Sequence, residues 1–397
     1  MSQSRRLRQK NENTFCRPPD FHYLCMTKQT IAMRIHHFNP EHEICLASGR
    51  SNYTPPHAAT RLRSGLGWMP ALWAEKGDIV LVDDSDYAKK AAQRWRGVLP
   101  EVHYLTFSEL KSMLRHISMD TLQLTVSPWG WDLPLRQQLM RSGVPASHLP
   151  TLKEMDTIRT LAHRRSTIPL LRHLVERLPG TVGERQCHTD LAEVEQALQH
   201  RGALVLKSPW SSSGRGVRYV SGELDSAVRR WAEGVIARQG SIITEPCYDR
   251  AMDFALEYEI GHGQEARFLG FSLFDTRSGA YQGNWLATEA RKRERLLRYM
   301  DNDLLTLLIN EVGTSCTTLL SGRYSGPFGV DMMVVRHADG AGHSIHPCVE
   351  LNLRRTMGHV ALHLTPSPTT PEGVLYITQG ANAELKVERE KPFVKVI

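Results

Sequence analysis

Short apolar segments alternate with amphipathic stretches along the first 150 residues of the chain. The stretch 56–77, PHAATRLRSGLGWMPALWAEKG, has the mixed apolar and polar spacing that is typical of helices. Apolar segments that alternate with such helices predict a parallel sheet whose two faces are covered. The segment 142–150, SGVPASHLP, has linker composition and is predicted to end this first domain, which we place at 33–150. The predicted strands of this domain are 33–39, 78–84, 102–107 and 121–126.

A different order of elements follows residue 150. The segment 153–178 carries an apolar face with the spacing of a helix. Strand and helix patterns then follow one another, and the segment 289–320 is predicted to form one long helix. We therefore predict a second, α+β domain at 151–397. Its predicted strands are 181–187, 203–207, 217–220, 241–248, 253–261, 266–275, 328–336 and 343–354.

The segment 203–220, ALVLKSPWSSSGRGVRYV, places a lysine at the end of an apolar strand and a loop rich in serine and glycine after it. The flanking strands predict a hairpin, but a plain hairpin closes with about two residues, so this loop is long. Small side chains leave backbone N–H groups uncovered, and Lys207 adds a positive charge beside them. From this segment alone two interpretations stay open: a loop that covers an anion, and a mobile connection in an ordinary hairpin.

Carboxylate and amide side chains lie inside the last two predicted strands. Glu350 and Asn352 are two residues apart and therefore project from the same face of their strand. With Asp331 in the preceding strand they form a set of oxygen ligands of the kind that Mg²⁺ binds, while nucleotide phosphates and water complete its shell. A buried strand rarely carries such a set without a cation. Asp331 alone would be a weak indication, but the set of three predicts a metal site.

The composition is that of an ordinary globular protein, with 41% hydrophobic and 23% charged residues among 397. No apolar run approaches the roughly 18 residues that span a bilayer, so we expect no membrane association. The net charge of +7 fits a protein that handles phosphates or acidic substrates, and no nucleic-acid-binding motif accompanies it. The seven cysteines lack metal-type spacing, which predicts free thiols and a cytoplasmic location. Residues 1–32 are polar and basic without a secretory pattern, and we interpret them as a disordered leader or a misassigned start.

Four segments, in this order, resemble the ATP-grasp superfamily, whose members include biotin carboxylase, D-alanine–D-alanine ligase and glutathione synthetase. LVLKSPWSSSGRGV resembles the lysine strand and phosphate lid of that family, and IITEPCY resembles the hinge strand that meets adenine. MDFALEYEI resembles the strand that follows, and VDMMVV with VELNLRRTMGH resembles the metal-binding strands. The resemblance covers roughly 152–364. More narrowly, FNPEHEICLASG, YTPPHAATRLR and PWGWD are similar to segments of a bacterial ATP-grasp group.

The resemblance implies a fold of the α/β class. A parallel-sheet N-terminal domain of the pre-ATP-grasp type would be followed by a two-lobed α+β ATP-grasp fold. The implied parts of that second domain are a nucleotide lid lobe at about 180–245, a metal-binding lobe at about 246–365 and a C-terminal extension after 365. The implied lid residues are Ser211, Ser212, Ser213, Gly214 and Gly216.

The resemblance also implies how ATP and a metal would be bound. Lys207 would hold phosphate oxygens, Glu245 and the backbone after it would meet adenine, and Asp253 would hold the ribose hydroxyls. Mg²⁺, with Mn²⁺ as an alternative, would be bound by the three oxygen ligands named above. Arg354 lies two residues beyond Asn352 and would hold the transferred phosphate or a substrate carboxylate, with a solvated strand-end arginine as the other interpretation.

One departure from the family concerns a second phosphate-binding lysine. The family usually carries it at the start of the central domain, where this chain has MDTIRTLAHRR. Arg159, Arg164 and Arg165 are the residues that stand in for it, because an arginine also donates to phosphate. The sequence does not choose among them.

The chemistry that the resemblance implies is ATP-dependent ligation, in which a carboxylate is activated as an acyl phosphate and joined to an amine or a similar nucleophile. Its partners would be ATP and a small-molecule or peptide carboxylate and amine, without nucleic acid, and the resemblance allows a homodimer. Two other functions stay open: a kinase that phosphorylates a small molecule with the same nucleotide site, and a non-catalytic ATP-binding regulatory protein. Retention of the lysine, the lid and all three metal ligands argues against the last.

Weaker candidates lie outside these motifs. In FNPEHE, Asn39, Glu41 and His42 follow the first strand, where open α/β sheets bind ligands, although Asn39 is equally suited to cap a helix. Trp129 follows another strand and would line the same cleft, although a large aromatic between domains more often packs. His359 begins a predicted helix near Arg354, and a core or capping role is the more common one for such a histidine.

Overall fold

A computed structural model describes residues 31–117, 122–211, 216–277, 280–364, 369–379 and 383–389. It contains one four-stranded parallel sheet, one four-stranded antiparallel sheet and one seven-stranded antiparallel sheet. The predicted fold class, a parallel α/β domain followed by a two-lobed α+β domain, is confirmed by this architecture. Over the described ranges, no helix has both the length and the apolar character needed to cross a membrane.

The N-terminal domain is built on the parallel sheet, whose order is β3-β2-β1-β4. Helices cover both faces, as predicted: Leu110 and Leu139 pack on one face and Trp68 and Ala88 on the other. The first strand begins two residues before the predicted start at Met33. The strands are β1 (Ile31–His37), β2 (Ile79–Leu81), β3 (His103–Leu105) and β4 (Leu122–Pro128). The helices are α1 (His42–Ser48), α2 (His57–Leu66), α3 (Ser85–Ala92), α4 (Phe107–Leu114) and α5 (Leu133–Arg141).

The predicted helical segment 153–178 is interrupted. It forms α6 (Leu152–Leu161), a 3₁₀ turn (Arg164–Thr167) and α7 (Ile168–Arg177). Pro169 occupies the first turn of α7, and a proline in a helix interior would remove a backbone hydrogen bond, so one continuous helix is disfavoured. The 3₁₀ turn points its first residue toward the site described below.

The smaller antiparallel sheet, which we call the lid sheet, has the order β5-β8-β6-β7. The predicted hairpin is present: Lys207 at the end of β6 pairs with Val217 at the start of β7. Apolar residues of two helices cover one face of the sheet. The strands are β5 (Gln186–His188), β6 (Ala203–Lys207), β7 (Val217–Ser221) and β8 (Ile242–Pro246), and the helices are α8 (Leu191–Arg201) and α9 (Ser226–Gln239).

The larger antiparallel sheet, which we call the large sheet, has the order β13-β12-β9-β10-β11-β14-β15. Its strands and helices are β9 (Arg250–Ile260), β10 (Arg267–Arg277), β11 (Ala280–Leu286), α10 (Glu289–Leu296), α11 (Asn302–Leu320), β12 (Gly326–Arg336), β13 (His343–Asn352), α12 (Met357–His363), β14 (Gly373–Gln379) and β15 (Ala383–Arg389). The prediction of one helix over 289–320 is wrong. Asp301 accepts a hydrogen bond from the backbone N–H of Leu304 and begins a second helix, which separates α10 from α11.

The two faces of the large sheet differ in polarity. Along β9, Phe254, Leu256 and Tyr258 point into a core shared with α7 and α11. The alternate residues point the other way, because side chains alternate across a strand. The polar residues of this opposite face line the cavity that forms the candidate site.

The residues after 365 add the last two strands to the large sheet. Strand β14 pairs with β11, and β15 pairs with β14. Strand β15 also packs against α2 of the N-terminal domain, where a β-carbon on Gly65 would lie 2.5 Å from the carbonyl oxygen of Ala383. Only glycine permits this approach, which brings the N-terminal domain over one end of the large sheet.

Candidate functional site

A cavity of about 280 Å³ lies over the polar face of the large sheet. Its floor comes from six strands, and its other walls come from the N-terminal domain, the loop after β6 and the start of α12. Both carboxylates and the amide of the predicted metal site line it, as does the predicted Arg354. The floor residues are Glu257, Ser272, Phe274, Thr276, Tyr281, Asn284, Asp331, Glu350, Asn352 and Ile377.

The structure brings the three predicted metal ligands together. Asp331 of β12 lies directly opposite Glu350 of β13, and Asn352 follows two residues later on the same strand. Burial first, and then the negative charge of Glu350, raise the pKa of Asp331 well above its ordinary value, while a hydrogen bond from Asn352 opposes the rise. Two adjacent, partly buried carboxylates of this kind are stabilised by a cation between them. The donor set therefore fits a hard divalent ion.

Asp331, Glu350 and Asn352 alone do not supply all the ligands of a metal ion. Among the described residues, no group of three or more histidine, cysteine, aspartate or glutamate side chains is arranged to hold a metal. Two carboxylates and one amide suit Mg²⁺, which keeps several waters and takes further ligands from substrate phosphates.

Arg164 connects the loop after β6 to the metal site. One guanidinium nitrogen, Nη1, donates to the carbonyl of Ser208 and to Oγ of Ser211 at 3.0 Å. The other, Nη2, donates to Oε1 of Glu350 at 2.6 Å. Of the three arginines that the sequence offered, this one is in the site. Arg159 instead donates to the carbonyl of Leu46 and lies over the ring of Trp210, and Arg165 is exposed.

Lys207 ends β6 in a buried ion pair. Its Nζ lies 2.5 Å from Oε2 of Glu245 on the neighbouring strand β8. Burial lowers the pKa of Lys207 below its ordinary value, although the charge of Glu245 opposes the shift. Burial would by itself raise the pKa of Glu245, but the positive charges of Arg185 and Lys207 lower it to about 2. The Glu245 carboxylate is therefore charged at neutral pH.

Arg185 completes this ion pair from the segment between α7 and β5. Its Nε donates to Oε1 of Glu245 at 2.7 Å, and its Nη2 donates to the carbonyls of Val349 and Cys348 at 2.7 and 3.1 Å. Its Nη1 donates to the hydroxyl of Thr167. The fully buried guanidinium thus links the lid sheet, β13 and the turn that carries Arg164.

We expect Arg185→Met to lower the free energy of unfolding by about 3–5 kcal/mol, because it leaves a buried carboxylate with half its partners. The matched control is Arg165→Met, which removes an exposed arginine nearby and should change stability by no more than about 0.5 kcal/mol. Urea unfolding followed by circular dichroism measures both. Equal stability of the two variants would mean that Arg185 is not a structural ion-pair partner.

The two residues predicted to hold adenine and ribose have protein partners of their own. The carboxylate of Glu245 is engaged by Lys207 and Arg185, as described. Asp253 of β9 accepts hydrogen bonds from Arg250 at 2.8 Å and from Thr276 at 2.7 Å. Neither residue is among those that line the cavity, so their nucleotide roles stay predictions.

The lid loop is described at its two ends. Ser211 lines the cavity, and the backbone N–H of Ser208 donates to the carbonyl of Gly216 at 2.8 Å, which closes the base of the loop. A β-carbon at Gly216 would overlap the side chain of Ser211, so glycine is required there. The predicted lid residues Ser212, Ser213 and Gly214 lie outside the described residues.

Arg354 is held by the N-terminal domain. Its Nε donates to Oε1 of Glu43 at 2.8 Å, and its Nη2 donates to Oδ1 of Asn352 at 3.0 Å. The alternative of a solvated strand-end arginine is wrong, because the side chain is largely buried and lines the cavity. Glu43 lies in α1, so this contact joins the first domain to the end of β13, which carries two of the predicted metal ligands.

The FNPEHE segment reaches the cavity through different residues from those predicted. Asn39 donates to Asp132 at 2.7 Å and to the carbonyl of Gly130, and does not cap α1, whose N-cap is Glu41. Glu41 is paired with Arg63 instead. Phe38, Pro40 and Glu43 of this segment line the cavity, whereas His42 lines a smaller neighbouring pocket with Glu350, Asn352 and Arg354. Contact of Asn39, Glu41 and His42 with the acceptor substrate stays a prediction.

The contacts of Trp129 and His359 show which of their alternative roles each residue has in the fold. Trp129 lines the cavity and also packs edge-to-face on Phe38. His359 has the capping role: its Nδ1 accepts from the backbone N–H of Thr356, which begins α12. Its Nε2 lies 3.2 Å from the carbonyl of Tyr258.

Sequence reasoning missed three charged residues of the site. Arg185 lies in a segment without any motif. Glu257 shares a strand face with Asp253, four residues earlier, and this spacing was the available signal. Glu43 is the last residue of the FNPEHE segment, in which the predicted residues are Asn39, Glu41 and His42.

Comparison with known proteins finds similarity in solved structures only. No protein-family model and no curated protein matches the chain. N5-carboxyaminoimidazole synthetase from Staphylococcus aureus, complexed with ADP, is 11% identical with a TM-score of 0.47, covering 89% of this chain and 83% of that one. Biotin carboxylase from Campylobacter jejuni is 11% identical with a TM-score of 0.49, covering 88% and 76%. An L-amino acid ligase from Bacillus licheniformis is 16% identical with a TM-score of 0.44, covering 89% and 82%. With TM-scores below 0.5, these similarities assign neither a family nor an activity to this chain.

Proposed function

We propose that this protein is an ATP-grasp ligase that uses ATP and Mg²⁺ to activate a substrate carboxylate as an acyl phosphate and joins it to an amine. The proposal rests on the sequence resemblance and on the arrangement of charges in the cleft. The free cysteines of the described residues fit a reducing compartment, and we place the reaction in the cytoplasm.

The observation that carries the proposal is the position of Arg164. This arginine contacts the loop after the lysine strand and the metal-binding Glu350 at the same time. A nucleotide phosphate chain between the lid and a metal at Asp331 and Glu350 would therefore lie against one guanidinium, whose planar donors suit phosphate oxygens. The arginine takes the place that the family usually gives to a second lysine.

The remaining groups have matching tasks. Lys207 would bind phosphate oxygens, and Arg354 would hold the substrate carboxylate beside the metal ligands. Mg²⁺, when bound by Asp331, Glu350 and Asn352, would neutralise the charge of the transferring phosphoryl group. The lid and the walls of the N-terminal domain would keep water from the reactive acyl phosphate.

The proposed reaction balances in two steps. A carboxylate oxygen forms a bond to the γ-phosphorus, and the bond from that phosphorus to the bridging oxygen of ADP breaks. The amine nitrogen then forms a bond to the acyl carbon, and phosphate leaves with the original carboxylate oxygen while the amine loses a proton. Positioning and charge stabilisation supply most of the catalysis in such transfers.

The test is ADP release by the purified chain with Mg²⁺ and ATP, screened against pairs of carboxylic acids and amines. We expect ADP release that requires both partners, and a product whose mass is that of acid plus amine minus water. With an ¹⁸O-labelled carboxylate, the label should appear in the released phosphate. A phosphorylated hydroxyl compound as the product would indicate the kinase instead, and nucleotide binding without ADP release for any pair would indicate the regulatory protein.

A further inference from the structure

We infer that the cavity binds its amine substrate as an ammonium cation at Glu43 and Glu257, with an apolar body held against the wall of the N-terminal domain. The inference rests on the proposed function, since it assigns the acceptor of that reaction. It assigns roles to two carboxylates that the metal and nucleotide sites do not use.

The charge of the cavity favours a cation. Of the described side chains that line it, four are carboxylates and one is an arginine. Asp331 and Glu350 belong to the proposed metal site. Glu43 and Glu257 remain, with Arg354 as the single cationic lining residue to balance them. A positively charged ligand beside Glu43 and Glu257 offsets this excess.

Glu257 has an oxygen that lacks a donor. The residue is 1% exposed, its Oε1 accepts from the hydroxyl of Thr356 at 2.7 Å, and its Oε2 has no hydrogen-bond partner among the described residues. His359 Nδ1 lies 3.0 Å from Oε2 but accepts the backbone N–H of Thr356. A neutral imidazole whose Nε2–H faces the carbonyl of Tyr258 carries no proton on Nδ1 to donate to Oε2.

Two glycines leave the space that the carboxylate of Glu257 occupies. A β-carbon on Gly329 would lie 2.5 Å from its Oε2, and one on Gly358 would overlap its Oε1. Two glycines therefore make room for a charged group on the cavity wall. A buried carboxylate oxygen without a donor costs about 1–3 kcal/mol, and a ligand N–H removes that cost.

Glu43 presents a second oxygen of the same kind. Its Oε1 accepts from Arg354, and its buried Oε2 has no hydrogen-bond partner in the described part of the chain. An ammonium group carries three N–H donors and no acceptor, so it can satisfy unpaired carboxylate oxygens that a hydroxyl or a carboxylate ligand would satisfy less well.

Six apolar side chains also line the cavity. Phe38, Leu62 and Trp129 come from the N-terminal domain, and Phe274, Met357 and Ile377 come from the large sheet and α12. Removal of an aromatic or branched aliphatic group from water against such a surface is favourable by about 25 cal/mol per Å². The acceptor that fits both the carboxylates and the apolar side chains is therefore a primary amine attached to a hydrophobic group.

Three probes of nearly equal shape test the charge preference on the unmodified full chain: 2-phenylethylamine, 2-phenylethanol and 3-phenylpropanoate. Titration calorimetry without nucleotide should show that the amine binds about tenfold or more tightly than the alcohol. The carboxylate reports separately on Arg354, which we propose to hold the acid substrate. Equal affinities of the amine and the alcohol would overturn the inference.

Variants test the residues. Glu43→Gln and Glu257→Gln should each weaken 2-phenylethylamine binding by about 10- to 100-fold and leave binding of the alcohol nearly unchanged. Glu41→Gln is the matched control, because Glu41 is also buried and lies at the start of the same helix but is paired with Arg63 outside the cavity. Wild-type amine affinity in both test variants would overturn the inference. So would a Glu257→Gln variant that lost Mg²⁺ binding and kept the amine.

The amine subsite and the proposed ligase function can be rejected separately. Amine binding is observed without ATP, so a chain that never releases ADP can still show the amine preference. Conversely, ADP release with an acid and a neutral nucleophile would support ligation while contradicting the amine subsite.

Discussion

Replacement of Glu350 by glutamine is expected to lower ADP formation by roughly 10²- to 10⁴-fold while nucleotide still binds. Glutamine keeps the shape of the side chain and an oxygen for Nη2 of Arg164, so the link between the lid and the strand survives. It removes the negative charge opposite Asp331, so that the proposed Mg²⁺ would lose a principal counter-charge. Several kcal/mol of stabilisation of the transferring phosphoryl group would depend on that ion, and each 1.36 kcal/mol corresponds to about tenfold in rate.

The measurement is Mg²⁺-dependent ADP formation beside nucleotide affinity, with the correct acid and amine present. Glu259→Gln is the control, because Glu259 lies on the same sheet but pairs with Arg267 at the surface. Its turnover should equal that of the unmodified protein. If Glu350→Gln also turned over normally, Glu350 would be a structural carboxylate and the proposed metal site would be lost.

Lys207→Met is expected to abolish most ATP use. The substitution keeps the bulk of the buried side chain and removes the charge that would bind phosphate oxygens. We expect ATP affinity to fall by about 10- to 100-fold, since a charge-assisted hydrogen bond to phosphate contributes about 1.5–3 kcal/mol. The fold should survive, because Glu245 keeps its ion pair with Arg185 at 2.7 Å, although the unfolding midpoint should fall.

Calorimetric titration with ATP and Mg²⁺, together with thermal unfolding, separates these two effects. Lys153→Met removes an exposed lysine from α6 and should leave both quantities unchanged. Unchanged ATP affinity in a folded Lys207→Met protein would mean that the lysine serves only Glu245, and the phosphate role of the lysine strand would be withdrawn.

Much of the architecture could be predicted from local patterns. The parallel sheet, the hairpin after Lys207 and the strands of Asp331 and Glu350 follow from apolar spacing of a few residues. Side-chain alternation placed Glu350 and Asn352 on one face, and the structure has them there. Boundaries were harder: the breaks before Pro169 and at Asp301 depend on single residues inside apolar runs, which periodicity alone overlooks.

The residues that complete the site required the folded chain. Arg164 is 186 positions from Glu350, and Glu43 is 311 from Arg354, so neither contact leaves a trace in local spacing. The sequence did not distinguish Arg159, Arg164 and Arg165. In the structure, the 3₁₀ turn directs the side chain of Arg164 toward Glu350.

The sequence by itself therefore determined the elements, their order and the chemistry carried on single strands, because helix and strand periodicities repeat within a few residues. Only the tertiary structure decided which charges meet. The pairing of Arg185 with Glu245, the role of β14 and β15 as part of the large sheet, and the unpaired oxygens of Glu43 and Glu257 all depend on packing between distant segments. Burial makes such contacts energetically decisive, since a buried charge must be paired or else serve a ligand.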